Sequence, residues 1–289
     1  MLYIFYNSFS KSGSNQRKMY KIVSEAVKVF MQPSLKVIDL VKITDPAVLI
    51  NDMSENDIVL LIGGDGTLTH VANEIAKYDI KPKIYAYRAG TGNDFLRDLF
   101  TIKECEIIKK RFYYISPFIK NLPTVKVNEE KMKFLNGAGF GIDAYIAKYV
   151  NEEKKRTGHA SFLKTAYNAF KTFKTYDKLK IIADGHEYIF ENVWVISIMN
   201  GKYYGGGMKI APNANREGDY LSITIIHNIS KYHLPLLFLS VYSGKHIIYK
   251  KYVKQIFAKN IKIECPQIEL SQIDGETYPV QKKLCICQK

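Results

Sequence analysis

Residues 59–69, VLLIGGDGTLT, constrain the fold of this chain more than any other stretch. The run Ile58–Ile62 is leucine or β-branched throughout, the composition of a strand covered on both faces and so of a parallel sheet. Gly63, Gly64 and Gly66 follow at once. Lacking a Cβ, they free the backbone for positive φ and let a bulky anion approach the N–H groups. Leu68, Val71, Ala72, Ile75 and Ala76 then share one face of a helix over residues 68–77. Its N-terminus aims free N–H groups beyond the turn, a geometry suited to phosphate. Asp65 sets a carboxylate inside this electropositive turn. It is either a cap for the helix or the holder of a metal–phosphate unit or a ribose hydroxyl, and the turn by itself favours the cap.

A second glycine turn, AGTGNDFLR at residues 89–97, lies about one βα unit later, behind the apolar run 84–87. Upstream, the spacing predicts a strand at Leu2–Tyr6, a polar loop NSFSKSG at 7–13, and a helix over Gln16–Phe30. A strand at 35–40 and a short helix at 46–50 follow. Strands alternating with helices argue for a parallel sheet covered on both faces, in which ligands collect beyond the carboxyl ends of the strands. The loops after Tyr6, Ile62 and Tyr87 all stand at such ends.

A boundary at residues 117–123 separates this pattern from one richer in strands. Strands at 124–127 and 133–135 flank a turn at 128–131, and NGAGFGIDA at 136–144 reads as a tight bend between strand and helix. Asp143 there is either a cap or a cleft carboxylate. Residues 158–176 read as a basic amphipathic helix. Its apolar side is formed by Ala160, Leu163, Tyr167, Phe170 and Phe173 or by Phe162, Ala166 and Ala169. A hairpin joins 179–183 to 188–198 through Asp184-Gly185-His186. Then come NGKYYGGG at 200–207, a strand at 220–226, a helix at 230–242 interrupted near Pro235, and short strands at 261–264 and 268–270. QIDGE at 272–276 sets two carboxylates on either side of a glycine at a strand turn.

The 289 residues suffice for two domains, placed at 1–121 and 122–289, with the last strand either in the second domain or returning to the first. A net charge of +14, mostly from lysine, points to an anionic partner: membrane, nucleotide or nucleic acid. No nucleic-acid motif accompanies the lysine clusters, so no nucleic acid is expected. No apolar run reaches membrane-spanning length, and MLYIFYN reads as a first strand and not as a leader. Cys105, Cys265, Cys285 and Cys287 show no metal spacing and read as buried, reduced thiols of a cytosolic protein.

GGDGT followed by GTGNDF, then by NGAGFGIDA, the NG…GGGM…P string and DGE, resembles the diacylglycerol kinase catalytic family. That family includes bacterial lipid kinases and the sphingosine and ceramide kinases. GGDGT alone is shared with NAD kinases. The resemblance implies an N-terminal Rossmann-like α/β domain of the NAD kinase and phosphofructokinase type, followed by a β-rich sandwich domain that receives the lipid. It implies ATP and Mg²⁺ as cofactors and the hydroxyl of diacylglycerol as acceptor, giving phosphatidic acid.

Carried over, Asn7, Ser12, Gly13, Gly63, Gly64, Asp65, Gly66, Thr67, Gly90, Thr91, Gly92, Asn93 and Asp94 would hold the nucleotide. Asp65 and Asp94 would place ribose or hydrated Mg²⁺. Glu276 would be general base on the lipid hydroxyl, brought to it across a cleft between the domains. Asp274 would orient it or support metal, and Lys11 would neutralise developing charge. A structural magnesium follows the proline in relatives, with Asp-Gly next; here the order is Glu217-Gly218-Asp219, which leaves Asp219 or Glu217 as the ligand. The chain also carries Ser8 and Arg88 where the family has proline, and Thr69-His70 where it has Asn-Glu. The implied partner is an anionic membrane surface approached from the cytoplasm, and a homodimer is compatible. The alternatives are a different lipid or polyprenol acceptor, and a membrane- or nucleotide-binding regulator without turnover.

Overall fold

Apolar runs separated by helices build a largely parallel sheet in the first part of the chain. The computed structural model describes the protein apart from residues 11–15, 44–45, 79, 90–92, 158–161 and 282–283, and apart from the side chains of 16, 48–49, 154, 162–164 and 284–286. It divides into two compact units, Met1–Asn121 and Leu122–Lys289. The first runs β1 (Leu2–Tyr6), α1 (Gln16–Phe30), β2 (Leu35–Asp39), α2 (Pro46–Asn51), β3 (Ile58–Ile62), α3 (Asp65–Ile75), β4 (Lys83–Tyr87), α4 (Asp94–Leu99), β5 (Ile107–Ile108), β6 (Phe112–Tyr114) and α5 (Ser116–Lys120).

The sheet order is β2-β1-β3-β4-β6-β5. β3 is internal, which is why its sequence is unbroken apolar: Leu60 and Ile62 pack with Leu2, Ile4, Ile22 and Ala26 on one face. Val59 and Leu61 turn to the other face, toward Phe5 and Val71. Tyr6, Asp39, Ile62 and Tyr87 are register partners, so the four parallel strands end together. The polar loops that follow them share one edge of the sheet.

The second unit is mostly strand: β7 (Thr124–Val127), β8 (Glu130–Lys133), β9 (Gly137–Gly141), α6 (Ile142–Thr157), α7 (Phe162–Thr172), β10 (Tyr176–Ala183), β11 (His186–Met199), β12 (Leu221–His227), α8 (Leu234–Val241), β13 (Val253–Ala258), β14 (Asn260–Glu264), β15 (Leu270–Ile273), β16 (Glu276–Pro279) and β17 (Leu284–Gln288). β11 organises it. Its first half pairs with β10, its second half with β9, and β12 runs along the other edge, with a bulge between Val193 and Val195. Ile196 and Ile198 enter one core with Phe134, Phe140 and Ile223. Val195 and Met199 enter another with Ile146 of α6, Ala166 of α7 and Leu237 of α8. This is the period-2 alternation of a strand between two packed layers.

Several expectations shift. The β7–β8 turn is only Asn128-Glu129, because Asn128 takes φ +57° and lets Glu130 pair with Val127 at once. α7 ends at Thr172, since Tyr176 already pairs with Val193 in the β10–β11 ladder. Ala166 and Ala169 of one candidate stripe are buried, and Phe170 and Phe173 of the other pack against the same core while Tyr167 lies exposed; Ala160 and the side chains of Phe162 and Leu163 lie outside the described residues. Pro235 does not interrupt a helix. It sits in the first turn of α8, where its missing N–H has no partner to lose. The last strand does not return to the first domain: β17 lies between β14 and β7, with Cys287 buried in the second unit's core.

Gly141 closes β9 with φ +108°, and a Cβ there would stand 2.4 Å from the Trp194 carbonyl oxygen. Gly141→Ala should therefore destabilise the protein by about 2 kcal/mol or more. Urea unfolding should show a lower midpoint at an unchanged slope.

Candidate functional site

The GGDGT turn is built without positive φ. Gly64 is the N-cap of α3 at φ −92° and ψ −173°, an extended conformation open to any residue. Gly63 is needed for proximity, because a Cβ on it would lie 2.4 Å from the Thr67 Cβ. Nothing lies within 4 Å of where a Cβ would stand on Gly64 or Gly66. The turn thus presents bare backbone beside the first N–H groups of α3. The freedom expected of these glycines is used for access and close packing, and not for left-handed backbone.

Asp65 is in the first turn of α3 but caps a different helix. Its Oδ2 accepts the Asp94 N–H at 2.9 Å and its Oδ1 accepts the Phe95 N–H at 2.9 Å, both from the first turn of α4. Asn93, the N-cap of α4, accepts the Leu96 N–H on its side-chain oxygen at 2.8 Å. The two glycine motifs are thereby joined, with Asn93 and Asp94 buried. Asn93 Nδ2 is buried and has no hydrogen-bond partner among the described residues. The first loop is fixed separately: Asn7 Oδ1 accepts the Phe9 N–H, and Asp39 at the end of β2 accepts the Ser8 N–H at 3.2 Å. Arg88 donates its backbone N–H to the Arg111 carbonyl at 2.8 Å, a bond that the family's proline could not make. Lys11, Ser12, Gly13, Gly90, Thr91 and Gly92 lie outside the described residues.

In the second unit, Asp274 and Glu276 part company. Asp274 and Gly275 form the two-residue turn between β15 and β16, at φ +47° and +91°, as such turns require. The Asp274 carboxylate accepts the N–H groups of Leu135, Asn136 and Gly137 at 2.6–3.0 Å. It therefore clamps the entry to β9. Glu276 opens β16, exposed, and its carboxylate makes no hydrogen bond or ion pair among the described residues.

The clamp is larger than the sequence shows. Buried Arg216 donates to the Leu135 carbonyl and the Asn136 side-chain oxygen. Asn200 donates to the same Leu135 carbonyl, and Lys289 bridges Asn200 to the Arg216 carbonyl. Asn136 heads the NGAGFG string and could have been found there. Arg216 and Lys289 stand outside any motif. Asp219 is exposed and ion-paired with Lys259 at 3.0 Å. Among the described residues, no group of three or more His, Cys, Asp or Glu side chains is placed to hold a metal ion.

Asp143 resolves as a buried carboxyl at the start of α6. It accepts the Ala144 N–H at 3.0 Å and faces Gln272 Nε2 at 3.5 Å. Gly139 makes room for it, since a Cβ there would collide with Asp143 Oδ2. Burial pushes this carboxyl up to about 7, against the weaker opposing pull of the Ala144 and Gln272 hydrogen bonds.

Comparison with known proteins agrees with this architecture. The family model for the diacylglycerol kinase catalytic domain matches residues 1–112. That for the YegS C-terminal NAD kinase beta sandwich-like domain matches residues 137–284. The lipid-kinase candidate YtlR of Bacillus subtilis is 31% identical over 65% of this chain and 64% of its own length. A diacylglycerol kinase of Mycobacterium tuberculosis is 25% identical over 76% of this chain and 70% of its own. A crystal structure of a candidate diacylglycerol kinase from Bacillus anthracis strain Sterne superposes with a TM-score of 0.66 at 22% identity, covering 99% of this chain and 91% of that one. The fold is therefore the N-terminal α/β domain of that family with its C-terminal β sandwich.

Two outcomes test the site's construction. Asp65→Ala removes the carboxylate that caps α4 and should lower nucleotide-free stability by about 1–2 kcal/mol in chemical unfolding. Asp143 takes up a proton on folding at any pH between its ordinary carboxylate range and about 7, so its contribution to stability declines as pH rises through that window and then levels off. Asp143→Asn should flatten that decline and gain on the parent above pH 7, read as unfolding midpoints across the pH range.

Proposed function

The chain belongs to the diacylglycerol kinase catalytic family, and from that premise we propose that it transfers the γ-phosphoryl group of ATP to the hydroxyl of diacylglycerol, giving phosphatidic acid. The observation that carries this reading is the bond from Asp65 to the N-terminus of α4, which makes one body of the two glycine motifs. Nucleotide phosphates suit the bare backbone at Gly64 and Gly66 and the N–H groups of α3 beside it. Asn93 Nδ2 offers a buried donor in the same unit. Asn7, Lys11, Ser12 and Gly13 of the first loop and Gly90, Thr91 and Gly92 of the second complete the proposed cradle. Mg²⁺ brought with ATP would neutralise phosphate charge, Asp94 being the proposed anchor for its hydration shell.

Phosphoryl transfer asks the protein for positioning and charge compensation more than for covalent chemistry. Lys11 is the cation proposed to meet negative charge as it develops. Glu276 is proposed to take the hydroxyl proton of the lipid as the new P–O bond forms. An exposed carboxylate with no hydrogen bond or ion pair among the described residues is available for that task. Asp274, held by three backbone N–H groups, positions the hairpin from which Glu276 projects. A substrate dissolved in a bilayer calls for an enzyme that visits the membrane, and the net charge of +14 favours an anionic leaflet.

Labelled ATP incubated with the protein, Mg²⁺ and a total lipid extract should yield labelled phosphatidic acid on thin-layer separation. A labelled product from another lipid or a polyprenol would reassign the acceptor. Glu276→Gln should reduce kcat about 10²–10⁴-fold with the fold and nucleotide affinity kept. Turnover at the parent rate would refute the general-base role.

A further inference from the structure

Helix α8, LPLLFLSV, carries no charged residue, yet it is only half covered. Leu234, Leu237, Phe238 and Val241 are buried against the second unit. Leu236 is 67% exposed and Leu239 61%, and Tyr232, one turn before Leu236 on the same face, is 78% exposed. The 3-10 turn Lys245–Ile248 packs against this helix and adds Ile248, itself 64% exposed, with Tyr249 just beyond. A helix apolar all round is ordinarily enclosed, and an uncovered apolar patch of this kind marks a docking surface.

The segment that carries the patch has charge of one sign. Between Asp219 and Glu264 the chain holds seven lysines and no acidic residue. Lys231, Lys245, Lys250 and Lys251 make no ion pair among the described residues, while Lys231 and Lys251 lie over the rings of Tyr232 and Tyr252. Apolar tips flanked by aromatic rings and unpaired lysines, in a stretch of chain without an acidic residue, are the pattern of a segment lying in a membrane interface.

We propose that α8 and the turn after it form an interfacial anchor that seats the protein on an anionic phospholipid leaflet. Leu236, Leu239 and Ile248 enter the acyl boundary. Tyr232 and Tyr249 sit at headgroup level, and the lysines meet lipid phosphates. A second copy of the chain is the weaker occupant, since a two-fold contact would press this acid-free, lysine-rich segment against itself. Eight residues of helix are too short to span a bilayer, so α8 lies in the plane of the interface. Docking at this face serves the lipid-kinase reading and rests on it for its purpose.

The test is co-sedimentation of the full chain with vesicles of phosphatidylcholine, with and without phosphatidylglycerol, across a salt series. The parent should bind the anionic vesicles and lose them as salt rises. Leu236→Asp with Leu239→Asp should weaken that binding at least about tenfold, because charge is expelled from the acyl boundary. Its circular dichroism and thermal unfolding should match the parent, since both positions face solvent. Lys245→Glu with Lys250→Glu should weaken it as well and remove most of the salt dependence. Turnover of a dispersed short-chain diacylglycerol should be unchanged in both variants. A parent that ignores anionic vesicles, binding that survives both pairs of substitutions, or a lipid-free dimer that the leucine variant dissociates would each overturn the anchor. Vesicle binding as expected with no lipid phosphorylated would overturn the kinase reading instead.

Discussion

The first unit depends on one carboxylate in a turn where backbone N–H groups gather. Asp65 receives two of them from α4, and the negative charge meets the positive end of that helix. A carboxylate in this position needs partners, because removing it from water without them is costly. The partners it finds belong to the second glycine motif. Parallel strands that end in common register bring the two turns to one edge, and Asp65 then locks them together. Gly63 lets Thr67 pack closely, and Gly64 and Gly66 leave the backbone bare.

The second unit uses an acid in the same manner. Asp274 gathers three N–H groups at the entry to β9, where Arg216, Asn200 and Lys289 also converge on the same backbone. Both aspartates are thus construction elements of the motifs that contain them. Glu276 differs, being two residues from Asp274 but across a turn and back in an extended strand. A DGE string therefore divides into a clamp, a bend and a projecting acid, each set by the turn geometry.

Two of the residues that depart from the family pattern have local surroundings of their own. Arg88 supplies an N–H to Arg111, and its guanidinium reaches the Tyr113 hydroxyl at 3.2 Å and the face of Phe100. His70 lines an apolar cavity of about 140 Å³ with Phe5, Leu61 and Val71.

The amino-acid pattern by itself determined the strand–helix alternation, the place of β3 inside a parallel sheet, the hairpin turns at Asp184-Gly185 and Asp274-Gly275, and the order of the motifs. Each of these follows from periodicity, burial or turn chemistry over a few neighbouring residues, and such signals are written locally. Only the tertiary structure decided what each acid holds. Asp65 reaches α4, Asp274 reaches Leu135–Gly137 from far along the sequence, Asp219 pairs with Lys259, and β17 pairs with β14 and β7. A hydrogen bond or a strand pairing between distant residues depends on which edges the assembled sheet brings within about 3 Å, and no window of sequence contains both partners.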